Sequence, residues 1–482
     1  CSMCIMSPKL VDVGRHPNIE LITYADLEEV SGSAGNFQVK VKKKASYVDM
    51  DKCTGCGECA TVCPVSIKSE FEEGLADRKA IYKLYPQAIP NVFTIDKTGI
   101  SPCVDGCPAG VSAQAYVALT SQRKFDEALA VVRRTLPFPS ICGRACHHPC
   151  EQACNRKEID EPIAIRPLKR FLVDRARENG ESPQEKPVID KDKKIAIIGA
   201  GPAGLTCGAR LLERGYPVKI YDASPEPGGL MTNCLPDYRI PKDIAEYDIG
   251  RLLELGLEIE SNTTVGKDIQ FDELKSSHDA VFVAIGAQGS APLNIDGMDL
   301  KGVAYGMDYL LDAKPGQKPD YQGKKVAVIG GGNVAIDCAR VAKRFGAEVS
   351  IVYRRAREQM PAYEWEIEEA EEEGVNMLYL ASPNKIVGDA QVTGLECTKM
   401  ELGEPDESGR RRPIPIPDSE FLIDVDTVIL AIGQKPVTDG IEGLELAGKG
   451  TIEYNCSTME TNVPVVFAGG DIARGPASII EA

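Results

Sequence analysis

Apolar residues recur along this 482-residue chain in two rhythms, and the change between them marks its organisation. From Ser101 to about Ala176 they return every three or four positions, as in Ala115-Tyr-Val-Ala-Leu119 and Phe125–Leu136, the period of one helix face. Beyond a polar, aperiodic stretch, Asn179-Gly-Glu-Ser-Pro-Gln-Glu-Lys-Pro187, which reads as a linker, continuous apolar runs take over. Lys193-Lys-Ile-Ala-Ile-Ile-Gly199 predicts a buried strand feeding a glycine turn and a helix over Ala203–Arg214, and Lys324-Lys-Val-Ala-Val-Ile-Gly330 repeats the pattern. Further strands are predicted at Val218–Tyr221 and Val349–Tyr353. Val463-Pro-Val-Val-Phe-Ala-Gly-Gly-Asp471 is expected to return to the first of the two units, making the second an insertion. Before residue 100 only Phe37–Val41 is strand-like, and no apolar run reaches the ~20 residues needed to cross a bilayer.

Cysteine changes this picture. Twelve of the 17 cysteines lie between Cys1 and Cys154. Cys53-Thr-Gly-Cys56-Gly-Glu-Cys59-Ala-Thr-Val-Cys63-Pro64 has the bacterial ferredoxin spacing, in which three thiolates hold one iron–sulfur cluster and the fourth reaches a neighbour. A structural zinc site is the alternative; four cysteines within so short a run, closed by proline, favour iron. Cys1 and Cys4, then Cys103 and Cys107, then Cys142, Cys146, Cys150 and Cys154 supply further candidate ligands. Twelve thiolates at four per cubane suggest three 4Fe-4S clusters, Cys142 being the weakest candidate, with spacing leaving their partition open. His147 and His148 read as neighbours of the ligands rather than ligands themselves.

Thiolates held for metal imply a reducing compartment, and the cytoplasm is the expected location. The formal net charge of −17 argues against nucleic acid or an anionic membrane as the main partner. Lys40, Lys42, Lys43 and Lys44 are either an exposed strand end or a docking patch for an acidic electron carrier. Glu364–Glu373 reads as a solvated helix face, and Arg410-Arg-Arg412 as a charged loop. Cys1 in place of an initiator methionine, and the stop at Ala482 within an apparent helix, suggest part of a longer polypeptide.

Two glycine fingerprints complete the inventory. Gly199-Ala-Gly201-Pro-Ala-Gly204 follows a strand and opens a helix, the arrangement that seats a pyrophosphate on a helix N-terminus, and Asp222 ends the next strand where a carboxylate meets a ribose. Gly228-Gly229-Leu230, Val281–Gly286 and Gly469-Gly470-Asp471 follow in the order of a two-part flavin domain, so FAD is expected. Around the second fingerprint, Gly330-Gly-Gly332-Asn333-Val334-Ala335, the next strand ends in Arg354 and Arg355 rather than an acid, which favours NADPH over NADH. Hydride transfer needs stacking and orientation, so no catalytic acid–base residue is expected. Cys338 has no C-x2-C partner, and Cys207, Cys234, Cys338, Cys397 and Cys456 read as structural.

Residues 1 to about 100, with Cys-Ser-Met-Cys-Ile-Met-Ser-Pro-Lys-Leu, His16-Pro-Asn-Ile-Glu-Leu and the ferredoxin run, resemble the cluster-bearing part of the A-type subunit of heterodisulfide reductases. From Pro102 onward, Pro-Cys-Val-Asp-Gly-Cys-Pro-Ala-Gly-Val, the Cys142–Cys154 group, Ala164-Ile-Arg-Pro-Leu-Lys-Arg-Phe and both fingerprints resemble the small subunit of NADPH-dependent glutamate synthase, a module shared with bifurcating NADH-dependent ferredoxin:NADP oxidoreductase. The resemblance implies that Gly199, Gly201, Gly204, Asp222, Gly229, Leu230, Gly470 and Asp471 contact FAD. It likewise implies that Gly330, Gly332, Asn333, Val334, Arg354 and Arg355 contact NADPH. Two cysteines of the glutamate synthase pattern are missing where Thr98-Gly-Ile-Ser-Pro102 stands, so one cluster would either borrow ligands from the preceding domain, the preferred reading, or be absent.

The expected fold is therefore α/β: a ferredoxin-like 4Fe-4S domain (1–100), a helical 4Fe-4S domain (101–178), an FAD-binding Rossmann-type domain (193–310 and 440–482) and an inserted NAD(P)-binding one (320–439). The expected function is electron transfer from NAD(P)H through FAD and about three clusters to a partner subunit or ferredoxin, within a heterodisulfide reductase-like complex for which electron bifurcation is a family analogy. Alternatives are electron input of the glutamate synthase small-subunit type and a non-catalytic conduit or assembly subunit.

Overall fold

The computed structural model describes residues 2–97, 99–314, 321–406 and 409–482, with the side chains of residues 2 and 3 left aside. Cys1 thus lies outside the described residues. The chain forms two compact units, residues 1–114 with 148–165, and residues 115–147 with 166–482.

The first unit opens with a helix, Ser2–Arg15, that hydrophobic periodicity did not reveal. An antiparallel hairpin follows, Ala25–Ser33 with Asn36–Lys43, exposed along almost its whole length. Lys40 and Lys42 face Glu28, and Lys44 pairs with Asp26, so acids of the opposite strand answer three of the four lysines of this run. After the ferredoxin run come two short ladders, Ser66–Lys68 with Asp77–Lys79 and Ile81–Tyr82 with Thr94–Ile95. Arg78 ties them together: it pairs with Glu70 and Asp96, and its guanidinium lies 3.5 Å from the Tyr82 ring centroid. The buried apolar side chains of this unit are few among the described residues: Phe93, Val111, Ala113, Cys150, Cys154 and Ile165. So thin a core needs another source of cohesion, and metal–thiolate bonds are one.

The second unit is built on two parallel five-stranded sheets. Strands are numbered β1 (Ile195–Ile198), β2 (Val218–Tyr221), β3 (Glu258–Glu260), β4 (Ala280–Val283), β5 (Val303–Tyr305), β6 (Lys325–Ile329), β7 (Glu348–Tyr353), β8 (Asn376–Tyr379), β9 (Gly394–Pro405), β10 (Arg411–Asp424), β11 (Thr427–Leu430) and β12 (Val466–Ala468). The first sheet has the order β12-β4-β1-β2-β3 and the second β5-β11-β6-β7-β8. Strand β12 pairs with β4, more than 170 residues earlier, so the second sheet interrupts the first, as the sequence pattern predicts. Along β6, Val326 and Val328 pack on one side while Ala327 and Ile329 pack on the other. Burial on both faces is why the strand reads as an unbroken apolar run. Strands β9 and β10 form a long antiparallel hairpin extending from the second sheet's half.

Helices α1 (Pro202–Leu212) and α3 (Asn333–Arg344) pack on these sheets, α4 (Glu364–Glu372) packs on α3, and α2 (Lys242–Leu253) packs on neighbouring helical segments. Helix α2 receives the helical segment Pro139–Ala145: the carboxylate of Asp248, 1% exposed, accepts the Ile141 N–H at 2.9 Å. Two readings need correction here. The helix Ile165–Asn179 takes in the first residue of the expected linker and 180–187 has no regular structure, yet this stretch is no loose tether: Glu181 takes a bidentate pair from Arg133 at 2.5 and 2.7 Å and the Tyr247 hydroxyl, and Arg251 binds the Ser182 carbonyl. Helix α4 is not merely a solvated acidic face. Glu366 is 4% exposed and pairs with Arg239, while Glu369 and Glu373 hold Arg340. Charge counting along a helix does not show which acids meet arginines from other elements.

Candidate functional site

The carboxyl ends of both parallel sheets open into one cavity of about 1430 Å³ within the second unit. Small-molecule pockets usually run to ~300–1,000 Å³, so this one has room for more than one nucleotide. Every predicted nucleotide-binding residue except Gly204 lines it: Gly199, Gly201, Asp222, Gly229, Leu230, Gly470, Asp471, Gly330, Gly332, Asn333, Val334, Arg354 and Arg355. That is the crevice at strand ends where open α/β sheets bind ligands.

Local geometry explains the glycines. Helix α1 starts at Gly201 and α3 at Gly332; neither first turn carries an acidic residue, so both present unpaired N–H groups and the positive end of a dipole to the cavity. Gly204 stands behind the turn. A Cβ there would lie 1.9 Å from the Gly199 carbonyl oxygen, which makes Gly204 the point where helix closes on strand rather than a ligand contact. In the second fingerprint Gly330 adopts φ +142°, and a Cβ would meet the Ala431 carbonyl oxygen at 2.2 Å. These cradles, lined by backbone N–H groups and closed to side chains, fit the pyrophosphates of FAD and of a nicotinamide dinucleotide.

Polar groups around the turns have assigned partners. Asp222 accepts the Ala200 N–H of the first glycine turn and the Ser224 N–H, at 2.5 and 2.7 Å, so it shapes the turn in addition to facing the cavity. Asn333 Oδ1 accepts the Tyr363 N–H at 3.2 Å and holds the loop before α4 over the second fingerprint. Burial pushes the Asp471 carboxyl up to about 6. Arg355 departs from expectation. It is 6% exposed, donates to the Arg411 carbonyl and pairs with Asp406, so its side chain is bound into the β9–β10 hairpin. Arg354 is exposed, as a residue awaiting an anion would be.

Residues that sequence reasoning passed over also line the cavity. Arg410 and Lys449 bring positive charge from loops remote in sequence, and Gln434 donates to the Ala287 carbonyl at 3.2 Å. Arg239 is braced by Asp337 and Glu366, and Tyr238 donates to Asp337 at 2.7 Å, joining the first half of the fold to α3 and α4. Burial opposes the Arg239 charge, but the two carboxylates hold it firmly protonated. Tyr363 stacks between His147 and Trp365, with ring centroids 5.1 and 4.6 Å away and planes within 6° of parallel. Burial lowers the His147 pKa, with Glu481 opposing.

The expected metal ligands fall in both units. In the first, Cys4, Cys53, Cys56, Cys59 and Cys63 are partly or fully exposed, and the Phe93 N–H donates to Cys53 Sγ at 3.4 Å. The Glu58 N–H and the Thr54 hydroxyl hold the Cys56 thiol below its ordinary range, favouring the thiolate a metal needs. Short helices Pro102–Asp105 and Pro149–Gln152 pack together, a Cβ at Gly106 falling 3.2 Å from Ala153 Cβ, which gathers Cys103, Cys107, Cys150 and Cys154 in one region. Cys142 and Cys146 belong to the second unit and are buried. Among the described residues no three Cys, His, Asp or Glu side chains converge as a single metal ion requires. The thiol-only donor set and the thin core around it fit sulfur-ligated clusters. Of the remaining cysteines, Cys338 and Cys397 are buried and burial raises both thiols, whereas Cys456 is exposed and packs no core.

The family described as pyridine nucleotide-disulphide oxidoreductase matches residues 193–482, more than half of the chain. The chain belongs to this family. Ahead of that oxidoreductase domain, residues 97–181 match the 4Fe-4S cluster domain II of dihydropyrimidine dehydrogenase, and residues 46–68 match a 4Fe-4S binding domain. Among relatives of this oxidoreductase, the NADPH-Fe(3+) oxidoreductase subunit beta of Geobacter sulfurreducens is 41% identical over 89% of the chain and 68% of that protein. The NADP(+)-dependent formate dehydrogenase subunit beta of Moorella thermoacetica is also 41% identical, over 79% of this chain and 58% of its own length. The glutamate synthase [NADPH] small chain of Halomonas elongata is 34% identical over 79% and 84%. Among solved structures, Mycobacterium tuberculosis FprA in complex with NADPH superimposes with a TM-score of 0.54 at 25% identity, covering 60% of this chain and 81% of that one. The oxidoreductase domain thus binds FAD and NADPH, preceded by 4Fe-4S domains, and no described helix is long and apolar enough to cross a membrane.

Proposed function

We propose that this chain is the electron-input component of a larger redox assembly, oxidising NADPH and passing electrons through about three 4Fe-4S clusters to a partner subunit or a ferredoxin. The observation that carries the reading is the single cavity spanning both glycine fingerprints, which lets two dinucleotides lie end to end on one chain. When bound, flavin supplies the two-electron to one-electron conversion that joins nicotinamide chemistry to iron–sulfur clusters. The protein's own part is positional. The α1 and α3 N-termini bind the pyrophosphates, Asp222 fixes the first turn, the Asn333-held loop covers the second, and the cysteines hold the metal.

Relatives named as beta subunits of an Fe(3+) oxidoreductase and a formate dehydrogenase support a place in a multi-subunit complex. The likeness of residues 1–100 to the A-type subunit of heterodisulfide reductases supports an acceptor of that kind, with bifurcation as one arrangement, in a reducing compartment such as the cytoplasm. Delivery to an amidotransferase-type large subunit is a second reading, favoured by the likeness to glutamate synthase small chains. Iron and flavin analysis of oxygen-free protein, followed by NADPH titration, tests the proposal. Bound FAD, about twelve irons and flavin bleaching near one equivalent support it; a preparation with zinc at the thiolates, or with unbleached flavin, refutes it.

A further inference from the structure

We infer that Arg354 and Arg410 grip the 2′-phosphate of the dinucleotide, and that Arg355, with Asp406, is a positioning residue that sets Arg410 in place. The inference rests on the NADPH reading above and assigns its specificity to residues separated by more than fifty positions.

The hydrogen bonds give the reason. Arg355 uses Nε on the Arg411 carbonyl at 2.8 Å and Nη2 on Asp406 at 2.7 Å. The same Asp406 carboxylate accepts the Arg410 N–H at 3.3 Å, and the Asp406 N–H donates to the Arg410 carbonyl at 2.8 Å. Arg355 therefore anchors the backbone on both sides of Arg410, and its own guanidinium is buried in doing so. Arg354 is exposed at the end of β7 and, among the described residues, has no ion-pair partner. Both Arg354 and Arg410 line the cavity, and the Asp406 and Arg411 bonds tie the Arg410 segment to the residue next to Arg354. A phosphate monoester carries nearly two negative charges at neutral pH, and two forked guanidiniums match that charge and geometry. Arg354 and Arg355 follow the last residue of β7, and the bend there leaves the first exposed and the second buried.

Asp406→Asn separates this arrangement from one in which Arg355 binds the phosphate directly. The substitution leaves all three arginines present, removes a negative charge from the neighbourhood, and weakens both the Arg355 pair and the anchor of Arg410. On the oxygen-free holoprotein, binding of 2′,5′-ADP and of 5′-AMP is measured by calorimetry, alongside kcat/KM for NADPH and NADH. Asp406→Asn and Arg410→Ala are each expected to weaken 2′,5′-ADP about tenfold, equivalent to about 1.4 kcal/mol, with 5′-AMP binding and NADH turnover unchanged. Unaltered or tighter 2′,5′-ADP binding by Asp406→Asn overturns the inference, since release of Arg355 would then favour the phosphate. Equal loss of both nucleotides overturns it too, because the effect would be collapse of the site. Wild-type protein that binds 2′,5′-ADP no better than 5′-AMP refutes the underlying NADPH reading instead.

Discussion

Alanine at Gly201 and at Gly204 should fail in different ways, although the two glycines stand three residues apart in one fingerprint. A Cβ built on Gly204 lies 1.9 Å from the Gly199 carbonyl oxygen and 3.1 Å from its carbon. Ordinary heavy-atom contact is about 3.5 Å, so α1 must retreat from β1 by roughly 1.5 Å. Overpacking of a tight contact costs about 1–3 kcal/mol, and here the strain falls on the buried helix–strand seam itself. A Cβ on Gly201 meets no atom within 4 Å, because it points into the cavity. Gly201→Ala should therefore leave the flavin-free protein with wild-type thermal stability while weakening FAD by about 5- to 150-fold, the same 1–3 kcal/mol now charged to the ligand. Gly204→Ala should lower the unfolding temperature of flavin-free protein as well. The assays are flavin-to-protein ratio after dialysis and thermal unfolding with and without added FAD. Full flavin retention by Gly201→Ala would refute the placement of the pyrophosphate on this turn, and undiminished stability of flavin-free Gly204→Ala would refute the tight helix–strand seam.

Three further outcomes follow from the packing. Arg239→Ala leaves Asp337 and Glu366, 5% and 4% exposed, without their countercharge, and should cost about 3–5 kcal/mol in denaturant unfolding; a loss below about 1 kcal/mol would show the cluster is solvated. Burial raises the Asp248 carboxyl to about 7, against about 3.9 in an unfolded chain, so the folded state disfavours ionisation and loses stability as pH rises from about 4 to about 7, then no further. Asp248→Asn keeps an acceptor for the Ile141 N–H without that penalty: its stability advantage should grow by about 2.5 kcal/mol between pH 5 and pH 8, and a pH-independent difference would contradict the assignment. Iron chelation should unfold the thin-cored first unit before the second, seen as protease cutting within residues 2–97 while 193–482 stays intact; resistance of both would mean that packing alone holds the first unit.

The parts of the fold that the sequence made legible are those where local pattern and tertiary role coincide. Val326–Ile329 is apolar at every position because both sheet faces are covered, and β12 could be placed with the first sheet because its apolar run ends in a glycine turn like the others. Helix Ser2–Arg15 was not legible, since its apolar residues are largely exposed and give no stripe. Within the site, glycines announce backbone geometry, whereas charged residues take their meaning from partners elsewhere. Arg355 reads as a phosphate ligand until Asp406, fifty-one positions on, is seen to hold it. Glu366 and Arg410 read as surface charge until Arg239 and the cavity give them a setting. The 40–44 lysines read as either an exposed strand end or a docking patch, and only the placement of Glu28 and Asp26 across the hairpin shows which acids they meet.

The central claim is that one polypeptide carries electrons from a nicotinamide dinucleotide to sulfur-ligated iron. Electron paramagnetic resonance of the isolated, oxygen-free protein, frozen after addition of NADPH with no partner present, tests this most directly. The account predicts signals of reduced 4Fe-4S clusters that grow with NADPH and are missing from Gly201→Ala lacking flavin. Clusters that stay oxidised under NADPH yet are reduced by dithionite would contradict it.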